Sequence, residues 1–351
     1  MMEYVCLGSS GLKISRIALG CWSFGNKDSW MIEIDKARPI IEKAIDLGVN
    51  YFDTSCNYSL GRSEEILGEA VKGRRNDVIL ATKVYGAMSE RPNDRGLSRR
   101  HIMNQIERSL QRLGTDYVDL YAIHRWDYDT PIEETLRALD DLIHAGKIRY
   151  IGASSMFAFQ FSKALWTSDR LGLSRFISME NLYNLCYREE EWEMIPLCRD
   201  QGVGLIPWSP LAKGFLTGKY VRAKTPDSVR YRSDYFLTNQ FMRPEFLENN
   251  FDILDEVVRV AKEKGLTPAQ VALAWLLHKG VVAPIVGATT VQQIEEDIEA
   301  VNVHLTQDEI GRLEAPYKPH PILPDTMFLE KRKKEEQERR AFELKQVNMA
   351  R

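Results

Sequence analysis

The sequence predicts an α/β fold, a closed (β/α)8 TIM barrel with an N-terminal hairpin and a C-terminal extension. Two observations carry this. Behind a short hairpin, apolar runs of strand length alternate eight times with amphipathic helical patterns. The competing open, doubly wound sheet usually announces itself with a GxGxxG turn after its first strand, and this sequence has none. A chain of 351 residues is long enough to bury the core of one such barrel.

The hairpin pairs Tyr4–Leu7 with Ile14–Leu19 across a turn at Gly8–Gly11. Barrel strands are expected at Ile17–Gly20, Tyr51–Thr54, Val78–Lys83, Val118–His124, Ile148–Gly152, Phe176–Met179, Gly204–Pro207 and Val281–Pro284. Helical periodicity fills the gaps at Asp35–Leu47, Ser63–Val71, Arg99–Leu113, Pro131–His144, Phe159–Gly172, Glu189–Asp200, Asp252–Lys264 and Pro268–His278. Thr130–Pro131 reads as a helix cap followed by proline in the first turn, with Glu133 and Glu134 at the helix's positive end. Gly48, Gly114, Gly146, Gly202 and Gly265 stand where helices should stop.

One stretch breaks the rhythm. Residues 212–250 hold GFLTGKY and the polar, aromatic run RYRSDYF, a connection long enough to be a lid or a tolerated surface insertion. The barrel domain is expected over 1–320, this loop included, and 321–351 is a charged extension carrying EKRKKEEQERR. The extension reads as an exposed helix or a frayed tail, and Pro316, Pro319, Pro321 and Pro324 make its connection stiff and non-helical.

Composition narrows the function classes. The chain is 44% hydrophobic and 28% charged, an ordinary globular balance. Its 47 basic and 50 acidic side chains leave a formal charge of -3, which provides no global field for nucleic acid. No apolar run approaches the roughly 20 residues of a membrane span, and no basic start leads into an apolar signal segment. Cys6, Cys21, Cys56, Cys186 and Cys198 are scattered without CxxC spacing, so reduced thiols in a cytoplasmic setting are expected.

Polar residues conclude several of the apolar strands. YFDTS ends on Asp53, VILATK on Lys83 and YVDLYAIH on His124, and in a barrel these ends share the face where active sites form. A structural ion pair and a satisfied inner histidine would account for them singly. Together with Tyr58, five residues past Asp53, they describe an acid–base centre. A lysine beside a tyrosine lowers the phenol pKa from about 10, and a buried carboxylate offsets and orients the ammonium. The set suits protonation of a developing alkoxide better than hydrolysis. One histidine makes a multi-histidine zinc centre an unsuitable reading, and no metal is expected.

The order of motifs resembles the aldo-keto reductases, in the aryl-alcohol dehydrogenase-like and channel β-subunit-like branch, over Tyr4 to Pro319. The resemblance rests on GVNYFDTSCNY, RSEEILGEAV, ILATK, DLYAIH, GKIRYIGAS, LYNL, IPWSPLAKGFLTGKY and PIVGATTVQQIEEDIEA. It implies a barrel in which Tyr58 is the proton donor, Asp53 and Lys83 tune it, and His124 places the substrate carbonyl. It also implies NADPH bound across the barrel mouth, with NADH as the alternative cofactor. Ser154 and Ser155 would then lie at the carboxamide and Trp208 against the nicotinamide. Ser209, Leu211, Gly214 and Lys219 would wrap the pyrophosphate, and Gly287, Thr289, Thr290, Gln293 and Asp297 would handle the adenosine end.

Two departures stand out. Glu180 occupies the place of the family's carboxamide-binding glutamine, and Ser155 that of an asparagine often seen after Ser154. An ionised glutamate accepts hydrogen bonds but donates none. Thr289, Thr290 and Gln293 are uncharged where the family often sets a cation for the 2′-phosphate. Trp22, Phe24, Tyr85 and Trp126, with Trp30 less firmly placed, are expected to wall a pocket for an aromatic or medium-sized apolar aldehyde or ketone. The resemblance leaves open a channel-associated regulatory subunit and a reductase of sugar or terpenoid carbonyls. It does not define an oligomeric state.

Overall fold

The computed structural model describes residues 2–26, 28–222, 229–234 and 237–319. Strands β1 (Tyr4–Cys6) and β2 (Lys13–Ser15) pair antiparallel as the expected hairpin. The barrel strands follow as β3 (Ala18–Gly20), β4 (Tyr51–Asp53), β5 (Ile79–Val84), β6 (Val118–Ile123), β7 (Ile148–Ser154), β8 (Phe176–Glu180), β9 (Gly204–Leu205) and β10 (Ile285–Val286). All pair in parallel, in the order β10-β3-β4-β5-β6-β7-β8-β9. The seam between β9 and β10 is joined by Val282 N–H donating to Leu205 O at 2.9 Å and Ile285 N–H to Pro207 O at 2.9 Å. A parallel bridge between Trp208 and Ile285 completes the closure.

The helices are α1 (Ile34–Asp46), α2 (Arg62–Ala70), α3 (Arg99–Leu113), α4 (Ile132–His144), α5 (Ala158–Leu171) and α6 (Met194–Asp200). They continue as α7 (Val229–Ser233), α8 (Pro244–Lys264), α9 (Pro268–His278), α10 (Val291–Ile298) and α11 (Gln307–Glu314). Each of the earlier helices turns its buried stripe to the sheet, as Ile102, Ile106, Leu110 and Leu113 do on α3. The barrel interior near its floor is packed by Leu7, Ile14, Ala18, Tyr51, Ile79, Leu120, Ala122, Ile206 and Ile285. Leu7 belongs to the hairpin turn, and Ser9 N–H donates to Gly202 O at 2.7 Å, so the hairpin covers the end of the barrel opposite the strand C-termini.

Several expectations need correction. The last strand lies at Ile285–Val286, past the expected Val281–Pro284, because Pro284 has no N–H to give to a ladder. The helix expected from Glu189 to Asp200 is a short 3-10 turn at Glu189–Glu191 followed by α6. Helix α8 begins at Pro244, with proline in its first turn, so the irregular connection is shorter than 212–250. The cap of α4 is Pro131, while the Thr130 hydroxyl donates to Asp127 at 2.8 Å. Helices α10 and α11 were not expected, and the charged extension at 321–351 lies outside the described residues. Among the described residues no helix is long and apolar enough to cross a membrane.

Candidate active site

Alternation along β5 decides where its polar residues go. Thr82 faces outward and donates to Glu64 of α2 at 2.6 Å, while Glu64 also accepts from Arg112 of α3 at 2.7 Å. That outward anchor turns Lys83, the next residue, into the barrel, where it is fully buried. Its ammonium donates to the Asp53 carboxylate on β4, to Thr54 O at 3.0 Å and to the Tyr58 hydroxyl at 3.5 Å. Across the barrel, Glu180 at the end of β8 lies 3.3 Å from the same nitrogen. One ammonium therefore serves two buried carboxyl groups.

Tyr58 is placed by a tight turn: Ser59 and Leu60, at φ 46° and 53°, are both left-handed, and α2 starts immediately after. Its ring stands edge-on to His124, 5.7 Å between centroids and 75° between planes. The Ser55 hydroxyl, 3.1 Å from His124 Nδ1, steadies the imidazole and also donates to Asn57 Oδ1 at 2.7 Å. The four residues expected from the strand ends thus meet in one place, on three neighbouring strands and the turn after the first.

The electrostatics differ from the simple expectation. Burial pushes the Tyr58 phenol above its ordinary value, and the opposing pull of Lys83 is too small to reverse this. Tyr58 therefore keeps its proton through the neutral range. Burial alone would lower Lys83, but Asp53 holds it protonated, and Glu180 where ionised adds to this, so it stands above the ordinary lysine value. Burial, reinforced by the charges of Arg125 and Lys83, keeps His124 neutral. Cys56 sits nearby with its thiol pushed up to about 12 by burial, which removes it as a nucleophile.

The other half of the rim is built by β7 to β10. Ser154 on β7 pairs in register with Glu180 on β8, and Ser155 N–H donates to Glu180 O at 3.1 Å. The Trp208 indole donates to Ser155 Oγ at 3.0 Å. Behind it Asn184 Nδ2 holds Ser209 O at 3.0 Å. The loop then winds through left-handed Ser209, Ala212 and Lys213 before Gly214 and Gly218. Leu211 N-caps this winding, and a Cβ on Gly214 would lie 2.7 Å from Lys219 Nζ. At α10, Thr290 caps the helix, and Gln293 Oε1 accepts from the N–H groups of Thr289 and Thr290 at 2.8 and 3.3 Å. Gly287 is open, with nothing within 4 Å of an added Cβ. Asp297 is buried on α10, and burial pushes its carboxyl up to about 7.

The aromatic wall is partly rearranged. Trp22 and Trp30 pair at 5.0 Å, whereas Phe24 has no exposed surface and packs the loop from inside. Tyr85 and Trp126 are half-buried at the ends of β5 and β6. Three cations near the mouth escaped the sequence reading. Arg125 donates to His124 O at 2.6 Å and Ser154 Oγ at 3.4 Å. Lys213 lies 3.5 Å from the Trp22 ring centroid, and Arg230 of α7 lies 4.6 Å from that of Trp30. Arg125 directly follows His124 and Lys213 lies within the loop motif, so both were visible as charges beside expected site residues.

Fold and site together define a barrel oxidoreductase. Residues 16–318 match the model of the aldo/keto reductase family, and the chain belongs to that family, whose members work with a nicotinamide cofactor. It is 42% identical to versiconal hemiacetal acetate reductase of Aspergillus parasiticus, over 92% of this chain and 99% of that one. A Saccharomyces cerevisiae relative provisionally named an aryl-alcohol dehydrogenase is 41% identical over 91% and 98% of the two chains. An Arabidopsis thaliana protein provisionally named a voltage-gated potassium channel subunit beta is 38% identical over 93% and 99%.

Proposed function

We propose that this chain reduces aldehydes or ketones, aromatic or medium-sized and apolar, to alcohols with NADPH, and that Tyr58 is the proton donor. The observation that supports it most is the contact of the Tyr58 hydroxyl with a lysine that is itself held by Asp53. The residues present fit a nicotinamide dinucleotide. Ser154, Ser155, Glu180 and Trp208 offer polar groups and an aromatic face on one arc of the rim, and the left-handed loop with Lys213 and Lys219 suits a pyrophosphate. When bound, the reduced nicotinamide supplies the hydride that the carbonyl carbon accepts.

Tyr58 then transfers its proton to the developing alkoxide, and the Lys83 ammonium stabilises the phenolate left behind. Neutral His124, held edge-on to the Tyr58 ring, packs beside the carbonyl and fixes its position. Because Tyr58 stays protonated at neutral pH, the centre is set for reduction; oxidation needs the phenolate and gains at alkaline pH. The half-buried Trp22, Tyr85 and Trp126 would supply the apolar wall.

A steady-state screen of varied carbonyls with NADPH and with NADH tests the reading. Turnover of aromatic aldehydes, faster with NADPH, is expected; folded protein inactive with every carbonyl and both cofactors would overturn it. Uncharged Thr289, Thr290 and Gln293 make the NADH arm the informative one for cofactor choice. Tyr58→Phe should lower kcat by about a hundredfold or more, with cofactor Kd little changed. An unaltered kcat, with hydride transfer rate-limiting, would remove Tyr58 from the proposed role.

A further inference from the structure

Glu180 has an unusual environment. It is 4% exposed and anchored through its backbone at the end of β8, opposite Ser154. Among the described residues, the one donor to its side chain is Lys83, at 3.3 Å. An ammonium has three protons, and Asp53, Thr54 O and the Tyr58 hydroxyl already face them. The groups that face Glu180 are Tyr51 and Asp53 from β4, Tyr58 from the following turn, Lys83 from β5 and Arg125 after β6. Arg125 directs one guanidinium nitrogen to His124 O and Ser154 Oγ. Two carboxyls thus share a cation that is committed mainly to one of them.

We propose that Glu180 works as an un-ionised carboxylic acid, donating as well as accepting at the nicotinamide carboxamide, and that loss of its proton sets the alkaline limit of cofactor binding. The inference rests on the reductase reading and concerns the one position where this chain replaces the family's amide with an acid. A protonated carboxyl has an O–H donor and a carbonyl acceptor side by side, the same pair that a glutamine amide presents. Burial, with the Asp53 charge adding to it, pushes Glu180 up to about 8, and Lys83 only partly opposes this. Once ionised, Glu180 loses its donor and places a second negative charge beside Asp53. The resulting limit falls below the range in which Tyr58 titrates, so the two are separable.

The test is the NADPH dissociation constant of the full chain, read from quenching of tryptophan emission between about pH 7 and about pH 9.5, where the dinucleotide phosphates no longer titrate. Wild type, Glu180→Gln and Asp297→Asn are compared in a Lys213→Met background, because Asp297 is the other buried acid expected at the dinucleotide and burial pushes Lys213 down to about 7, into the same range. Wild type should weaken about tenfold across a break near pH 8, the loss of one strong hydrogen bond. Glu180→Gln should vary less than about twofold, and Asp297→Asn should keep the alkaline weakening. An alkaline weakening that survives in Glu180→Gln, or none in wild type, would overturn the proposal. Calorimetry on Lys213→Met with Glu180 intact, in buffers of different ionisation enthalpy, gives an answer independent of the folding of the Glu180 variant and free of the proton that Lys213 would take up beside a phosphate. NADPH binding near pH 8.5 should take up a proton that binding near pH 7 does not; equal uptake at both also overturns it. No binding at any pH would instead sink the nicotinamide reading beneath it.

Discussion

Lys83 is the residue on which the site turns. It is fully buried and holds two carboxyls and a phenol, so removing its charge leaves Asp53 without its counter-ion in a dry interior. Lys83→Met should lower unfolding free energy by about 3 kcal/mol, and adding Asp53→Asn should recover part of that loss. Denaturant titration of the two single variants and the double variant measures it; strictly additive losses would show that the pair is not coupled. Much of this centre was legible in the sequence, since a polar residue closing an apolar strand is conspicuous. The Lys83–Glu180 contact was not legible, because it spans the barrel interior between β5 and β8 and leaves no local pattern. Nor was the raised phenol: a sequence names the lysine beside the tyrosine but not how far burial takes each from water.

Among the elements, α2 shows how packing overrides propensity. Gly68 sits within this helix, where alanine would ordinarily gain about 1 kcal/mol. A Cβ there would lie 2.4 Å from Leu113 O at the end of α3, so the two helices meet at a distance only glycine permits. Gly68→Ala should therefore destabilise, by about 2 kcal/mol, and a raised Tm would refute the close approach. Because Glu64 on the same helix anchors Thr82, any shift of α2 is passed to the strand that carries Lys83. The helices of the first half were readable from their periodicity. Helices α10 and α11 were missed although each opens with a capping box, Thr290 with Gln293 and Thr306 with Glu309; short helices on the outer layer have too few turns for periodicity to register.

For the whole molecule, buried titratable groups set how stability changes with pH. Burial pushes Glu180 and Glu190 up to about 8 and Asp297 up to about 7, so the folded chain holds protons that the unfolded chain releases near its ordinary carboxylate values. Stability therefore falls as pH rises through the neutral range, by about 1.4 kcal/mol per pH unit for each such proton. His101, His124 and Lys213 act oppositely: burial lowers all three, so the histidines below about pH 6.5 and Lys213 above about pH 7 take up protons on unfolding and offset part of that slope. Unfolding free energy should decline from about pH 6.5 to about pH 8, less steeply in Glu180→Gln. Denaturant curves at a series of pH values check this, and a profile rising from pH 6.5 to 8 would contradict it.

The hairpin laid against the barrel floor has a consequence for traffic. Leu7 and its neighbours fill that end, so among the described residues the open side of Lys83, Asp53 and Glu180 is the rim. A molecule seated over the rim cuts these groups off from solvent. A hydrogen ion that Lys83 then exchanges has its nearest outlet at the Tyr58 hydroxyl, 3.5 Å away.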